Sequence, residues 1–164
     1  MSGGKGGASR VGLKVYGRLS PPVRQAFVRL VKPSFTVGTM TVVTQDDDRV
    51  LLVQHSYMSN WSLPGGLLDR REQVYAGAVR ETREEVGLDV VLVGEPAVVV
   101  DPQRQIVRVI FRARTVAGVS PDTAAPASAE IVHVGWFAPD ELPTTSPETA
   151  DAYAALLRVE GVRS

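Results

Sequence analysis

The feature that most narrows the fold is a helix near the middle of the chain that carries three glutamates and is bounded by glycines. The run Glu72 to Val86 sets Val74, Ala78, Val79, Thr82 and Val86 at helical spacing, and Gly87 supplies the C-cap. Leu63-Pro64-Gly65-Gly66 makes a sharp break before it. Each helical residue advances about 100°, so with Glu81 as origin Glu84 falls at roughly −60° and Glu85 at roughly +40°. The three carboxylates share one arc of about 100° and are expected to reach a common point. Like charges at this spacing disfavour a helix by roughly 0.2–0.5 kcal/mol per pair. A helix that keeps them needs cations beside it or a metal ion between them. Arg80 and Arg83 allow the first reading, a surface helix laced with ion pairs. Magnesium or manganese satisfies the second, since hard cations prefer carboxylate oxygens and retain waters for a phosphate substrate. The helix alone leaves both open.

The flanking segments are β-rich. Thr36–Thr44 and Val50–Gln54 are expected strands, and the break Gln45-Asp46-Asp47-Asp48-Arg49 between them reads as a solvated hairpin turn. Val90–Val93 and Ala97–Val100 are short strand candidates, Gln105–Val116 is a longer one, and Glu130–Phe137 returns to strand. Gly118–Ser128 is expected to be loop. Ser146-Pro147-Glu148 opens a helix, with Ser as N-cap, Pro at the first position and a carboxylate in the first turn; Ala150, Tyr153, Leu156 and Leu157 are its buried face and Gly161 its end. Near the start, Ser20-Pro21-Pro22 precedes Val23, Phe27, Leu30 and Val31 at helical spacing, and Pro33 stops that helix. The order of elements gives an α+β layered fold. Residues 1–20 are expected to be a flexible tail and residues 21–164 a single domain.

Composition removes several function classes. Lys plus Arg equals Asp plus Glu at 18 each, which argues against a nucleic acid polymer as partner. There is no cysteine, hence no disulfide, thiolate nucleophile or zinc-thiolate site. No apolar run approaches the roughly 20 residues that span a bilayer, so no membrane association is expected. Met1–Arg10 lacks the apolar core of a secretory signal, and a cytoplasmic location is expected.

The spacing around the helix resolves the ambiguity. Gly66, five residues, Glu72, seven residues, then Arg80-Glu81-Thr82-Arg83-Glu84-Glu85-Val86-Gly87-Leu88 resembles the Nudix hydrolase signature at every fixed position. Thr82 stands where the signature has a bulky aliphatic. Trp61–Gly66, Glu130–Phe137 and Asp140-Glu141-Leu142-Pro143 are similar to the usual surroundings, so the likeness runs over about residues 36 to 158.

The resemblance implies a Nudix-type α/β/α sandwich around a mixed β-sheet and hydrolysis of a diphosphate linkage with Mg2+ or Mn2+. Glu81, Glu84, Glu85 and the Gly65 carbonyl would hold the metal. Arg80 would orient the glutamates, Glu72 would support the loop, and a box glutamate such as Glu84 or a later one, Glu130, would serve as general base. His55 and His133 read as packed or surface histidines. Tyr57 and Trp61 could stack on a base or equally pack. Arg104, Arg108, Arg112 and Arg114 read as the solvated face of a strand.

The box names the linkage and not the groups attached to it. The block typical of NADH pyrophosphatases is missing, no tyrosine marks a diadenosine-polyphosphate hydrolase, and Pro102 lies one place off the register of ADP-ribose pyrophosphatases. The helix before the first strand departs from the smallest triphosphate-sanitising members. The favoured expectation is a small nucleotide-type substrate, a nucleoside diphosphate linked to another moiety such as ADP-ribose or a nucleotide sugar. A nucleoside triphosphate pyrophosphohydrolase is the alternative, and a non-catalytic nucleotide-sensing domain a third, disfavoured by the intact glutamates. A homodimer is expected from the ADP-ribose group.

Overall fold

The computed structural model describes residues 20–23 and 34–161. Apart from Ser20–Val23, of which Pro21–Val23 are helical, the expected tail and first helix lie outside the described residues. The chain divides into Met1–Phe35 and Thr36–Ser164. The second unit runs β1 (Thr36–Val43), β2 (Val50–His55), β3 (Trp61–Ser62), α1 (Val74–Val86), β4 (Val90–Asp101), β5 (Ile106–Thr115), a 3-10 turn (Pro121–Thr123), β6 (Ile131–Phe137) and α2 (Pro147–Gly161).

The strands form two three-stranded sheets, β1-β5-β4 and β3-β2-β6. The first is mixed, with β1 parallel and β4 antiparallel to β5. Helix α1 packs on β1 and β4, and α2 on β4 and β5. Alternation along the strands shows why β2 reads as an unbroken apolar run. Val50 and Leu52 enter the core with Ala152, Ala155 and Leu156 of α2. Leu51 and Val53 enter the opposite core with Val86 and Leu88 at the end of α1. A strand covered on both faces has no polar side to show.

Several boundaries differ from expectation for physical reasons. The two short strand candidates after α1 are one strand, β4, bulged so that Val93 pairs with Arg112 and Ala97 with Ile110. Gly94, at φ 71°, and Pro96, which has no N–H to donate, take up the extra residues. The turn after β1 forms, but β1 and β2 meet only at a Thr44–Val50 bridge and then enter different sheets. The Pro64–Leu68 segment occupies the edge that β2 would need: Thr39 and Thr41 donate to the Gly66 and Pro64 carbonyls at 2.8 and 2.9 Å, and Leu68 donates to Val37 at 3.0 Å. Strand β3 is too short to carry a periodic signal, and the expected loop Gly118–Ser128 contains the 3-10 turn.

Both helix ends behave as their residues dictate. Gly87 caps α1 at φ 71°, its N–H donating to the Arg83 carbonyl. The Ser146 hydroxyl accepts the Thr149 N–H at 3.2 Å and starts α2. Thr82 is fully buried, and its hydroxyl donates to the Ala78 carbonyl at 2.8 Å, which is how a polar residue is accommodated at an aliphatic position. Among the described residues no helix is long and apolar enough to cross a membrane.

Ile110 is fully buried under α2. Ile110→Ala is expected to lower unfolding free energy by about 2–5 kcal/mol in urea titration. A loss below about 1 kcal/mol would mean that this layer re-collapses around the cavity.

Candidate active site

The site is built around the turn at Gly65–Gly66, which threads between β1 and α1. A Cβ on Gly65, at φ 153°, would lie 2.1 Å from the Thr39 carbonyl oxygen, and one on Gly66 would lie 2.6 Å from the Glu81 carboxylate. Only glycine lets the backbone pass so close to both. The Gly65 N–H donates to Glu85 Oε2 at 2.9 Å, and the flanking Pro64 and Gly66 carbonyls point at β1. The turn thus faces the glutamates with its own backbone.

Arg80 organises the other side. Its Nε and Nη2 donate to Glu72 Oε1 and Oε2 at 2.8 and 2.9 Å, a two-pronged pair. Its Nη1 donates to Glu81 Oε1 and Glu84 Oε2, both at 2.9 Å, and Nη2 also reaches the Leu67 carbonyl at 3.3 Å. This pairing holds the Glu72 carboxyl down at about 2. Glu72 also accepts the Asp69 N–H at 2.9 Å, so it ties the loop before α1 to the same guanidinium.

The three box glutamates are neighbours that point to two separate partners. Glu81 bonds Arg80 and faces Gly66, Glu85 turns to Gly65, and Glu84 is 57% exposed. Among the described residues no three acidic or histidine side chains surround one point. Each carboxylate instead follows its own partner, Arg80 for Glu81 and Glu84 and the Gly65 N–H for Glu85. Burial, the largest cause, pushes the Glu85 carboxyl up to about 8 against the opposing Gly65 hydrogen bond, with Glu81 and Glu130 adding to the rise. Burial also raises Glu81, opposed by Arg80.

A second group joins Glu85 from the end of β2. His55 is buried, with Nε2 4.0 Å from Glu85 Oε1 and its ring stacked on Tyr57 at 5.2 Å. Burial lowers its pKa, and Glu130 opposes the shift. Glu130 is exposed, and its carbonyl accepts the Ser56 N–H at 2.8 Å, which sets it beside the same strand end. His55, expected to be a packed or surface histidine, is packed, and its place at the end of β2, which pairs with β6 just after Glu130, sets it beside Glu85. His133 lies away from this group, near Trp61 at 6.5 Å.

A cleft of about 290 Å3 leads from the turn, lined by Gly65, Gly66, Leu67, His55, Met40 and Arg108 among others. The arginines of β5 and its approach separate here. Arg104 pairs with Glu148, Arg112 with Glu160 through two bonds of 2.7 and 2.6 Å, and Arg114 with Asp46 at 3.0 Å. Arg108 lines the cleft instead.

The NUDIX domain family matches residues 34–157, a span that holds the turn, the helix and the cleft. The chain belongs to this family. A MutT-like protein of Streptomyces ambofaciens is 33% identical over 125 residues, 76% of each chain. A Bacillus subtilis protein provisionally named as an 8-oxo-dGTP diphosphatase is 29% identical over 109 residues, 66% of this chain and 70% of its own. An ADP-ribose pyrophosphatase from Streptococcus suis has the same fold at TM-score 0.62 and 31% identity, over 79% of this chain and 92% of that one. This Nudix hydrolase therefore has hydrolytic relatives over most of its length, and the family as a whole uses a divalent metal ion and small nucleotide substrates.

Glu85 gives this Nudix hydrolase a pH signature without metal. A carboxyl raised from 4.5 to about 8 on folding binds its proton more tightly in the folded state, so its contribution to stability is full below pH 4.5 and is lost as pH rises to about 8. In chelator, urea midpoints of the wild type are expected to fall across that window relative to Glu85→Gln. Parallel profiles would show that Glu85 folds in its charged form.

Proposed function

We propose that the protein hydrolyses the diphosphate linkage of a nucleoside diphosphate joined to a second moiety, with Mg2+ or Mn2+ and with ADP-ribose or a nucleotide sugar as the favoured substrate class. The observation that carries this reading is the contact of the Gly65–Gly66 turn with Glu81 and Glu85, braced by Arg80 across Glu72, Glu81 and Glu84. The resemblance to an ADP-ribose pyrophosphatase at 31% identity supports the substrate class.

The residues present fit a hard divalent cation. All donors are oxygens, burial outweighs the hydrogen bonds that Glu81 and Glu85 accept, and the bare Gly66 backbone lets the Glu81 carboxylate lie against the turn. Glu81, Glu84 and Glu85, with the Gly65 carbonyl, would hold the ion. Bound there, it would polarise the phosphoryl oxygens and acidify a water. Arg80 holds Glu81 and Glu84 in place by charge-assisted bonds. Glu130, an exposed carboxylate whose charge adds to the rise of Glu85, would take the proton of the attacking water, with Glu84 the other exposed carboxylate of the group suited to that role.

A second reading, nucleoside triphosphate pyrophosphohydrolase, is favoured by the name of the Bacillus relative. A panel of ADP-ribose, nucleotide sugars, dinucleotides and nucleoside triphosphates with Mg2+ separates the two. Turnover confined to triphosphates would remove the first. Activity is expected to vanish in chelator and to return with Mg2+ or Mn2+, and Glu85→Gln should lower kcat by about two orders of magnitude or more with the fold retained. Near-normal turnover in Glu85→Gln would sink the metal assignment. Glu130→Gln is expected to lower kcat by about 10²–10⁴; a loss of only a few-fold would hand the base role to another carboxylate.

A further inference from the structure

The cleft beside the turn has a charge pattern that speaks to the far end of the substrate. Arg108 lies on β5 in register with Gly38 of β1 and Val99 of β4, on the face that α2 covers. It borders both the cleft at Gly65–Leu67 and a neighbouring hollow of about 270 Å3 formed by Val99–Arg104 and the start of α2, so the two spaces meet at Arg108 and Glu148. Gly38 has no side chain to cover it. Among the described residues no hydrogen bond or ion pair holds its guanidinium, whereas Arg104 on the same wall pairs with Glu148 and lies 3.6 Å from Asp101.

The surroundings are not those of a phosphate pocket. In the adjoining hollow two arginines, Arg104 and Arg108, stand among three carboxylates, Asp101, Glu148 and Asp151, and of these Arg108 and Glu148 also line the cleft. Asp101 is held below its usual range first by the Arg104 backbone N–H, and Glu148 first by its own backbone N–H, with Arg108 a smaller contributor to both. Asp101 and Glu148 therefore stay ionised and offset the two arginines. The floor of the cleft is apolar, with Met40, Met58, Leu63 and Ile106. An apolar floor, a five-donor fork and nearby acceptors match a group whose oxygens both accept and donate while its carbon face is apolar. A sugar is such a group, and the modest volume suits one.

Resting on the diphosphatase reading above, we propose that this cleft receives the neutral, hydroxyl-bearing moiety beyond the diphosphate, and that Arg108 is the specificity-determining residue that donates to its oxygens. The diphosphate lies at the turn and the glutamates, which share Gly65, Gly66 and His55 with the near end of the cleft. Arg108 contributes to sugar recognition and leaves the chemistry at the glutamates to other residues.

The test compares ADP-ribose with the methyl ester of ADP, which keeps the diphosphate and lacks the sugar, in wild type, Arg108→Leu and Arg108→Lys with Mg2+. Thermal melts check that each variant folds. Arg108→Leu is expected to lower kcat/KM for ADP-ribose roughly ten- to a hundredfold, mainly through KM, and to leave the methyl ester within about twofold. Arg108→Lys is expected to recover little, because a point charge lacks the fork. Equal losses on both substrates would overturn the proposal by placing Arg108 on the nucleotide or the phosphates. No loss on either would remove Arg108 from recognition while leaving the diphosphatase reading intact. A folded wild type that cleaves neither compound with Mg2+ or Mn2+ would overturn that reading itself, and the proposal with it.

Discussion

The passage of the chain between Thr39 and Glu81 is the constraint on which the rest of this structure depends. At Gly65 and Gly66 the backbone passes within a side chain's width of a strand carbonyl on one side and a helix carboxylate on the other. Because it fits, the segment after β3 can run along the edge of β1, bond to Val37, Thr39 and Thr41, and close that edge of the mixed sheet. The same fit brings α1 down with its acidic face against the turn. Sheet closure and site assembly are one packing event, so a side chain added at either glycine would disturb both.

Charge then decides how the acidic face survives. Arg80 is surrounded by Glu72, Glu81 and Glu84, and burial, the hydrogen bonds and the neighbouring charges all act on one small volume. The net effect keeps the guanidinium firmly protonated, since three carboxylates gain from its charge. Glu85 has no such partner. It is buried beside His55 with one backbone N–H for compensation, and its carboxyl rises accordingly. The face therefore carries its strain where a cation would relieve it, and a divalent ion is the economical solution in a site made of oxygens.

The far end of α1 is tied to the later part of the chain. The Ala125 and Ala127 N–H groups donate to the Val86 and Glu85 carbonyls at 3.2 and 2.9 Å, and Trp136 Nε1 donates to the Pro121 carbonyl at 3.3 Å. The first two bonds satisfy carbonyls at the end of α1 that have no partner within the helix. They also fix the loop that delivers Glu130, so two glutamates about forty-five residues apart in sequence (Glu85 and Glu130) come to influence one another. In the proposed reaction that loop brings a base to the bound linkage.

Local chemistry was legible in the sequence where a short stretch contains its own cause. The C-cap at Gly87, the Ser146 start of α2 and the strand begun at Val50 all depend on neighbours within a turn or two, and each stands as read. The spacing from Gly66 to Leu88 carried the family resemblance, and the resemblance implied the α/β/α layering. Tertiary structure decided what depends on distant partners. It sent β1 and β2 into different sheets because the Pro64–Leu68 segment had taken the edge, and it joined two strand candidates into β4 across a bulge. It set His55 against Glu85 and paired three of four arginines with carboxylates on other elements, leaving Arg108 facing the cleft. Helical period could put Glu81, Glu84 and Glu85 on one arc, but the direction each carboxylate takes follows from Arg80, the Gly65 N–H and solvent. A side chain's bearing is set by the donors that reach it through space, and those come from wherever the fold brings them.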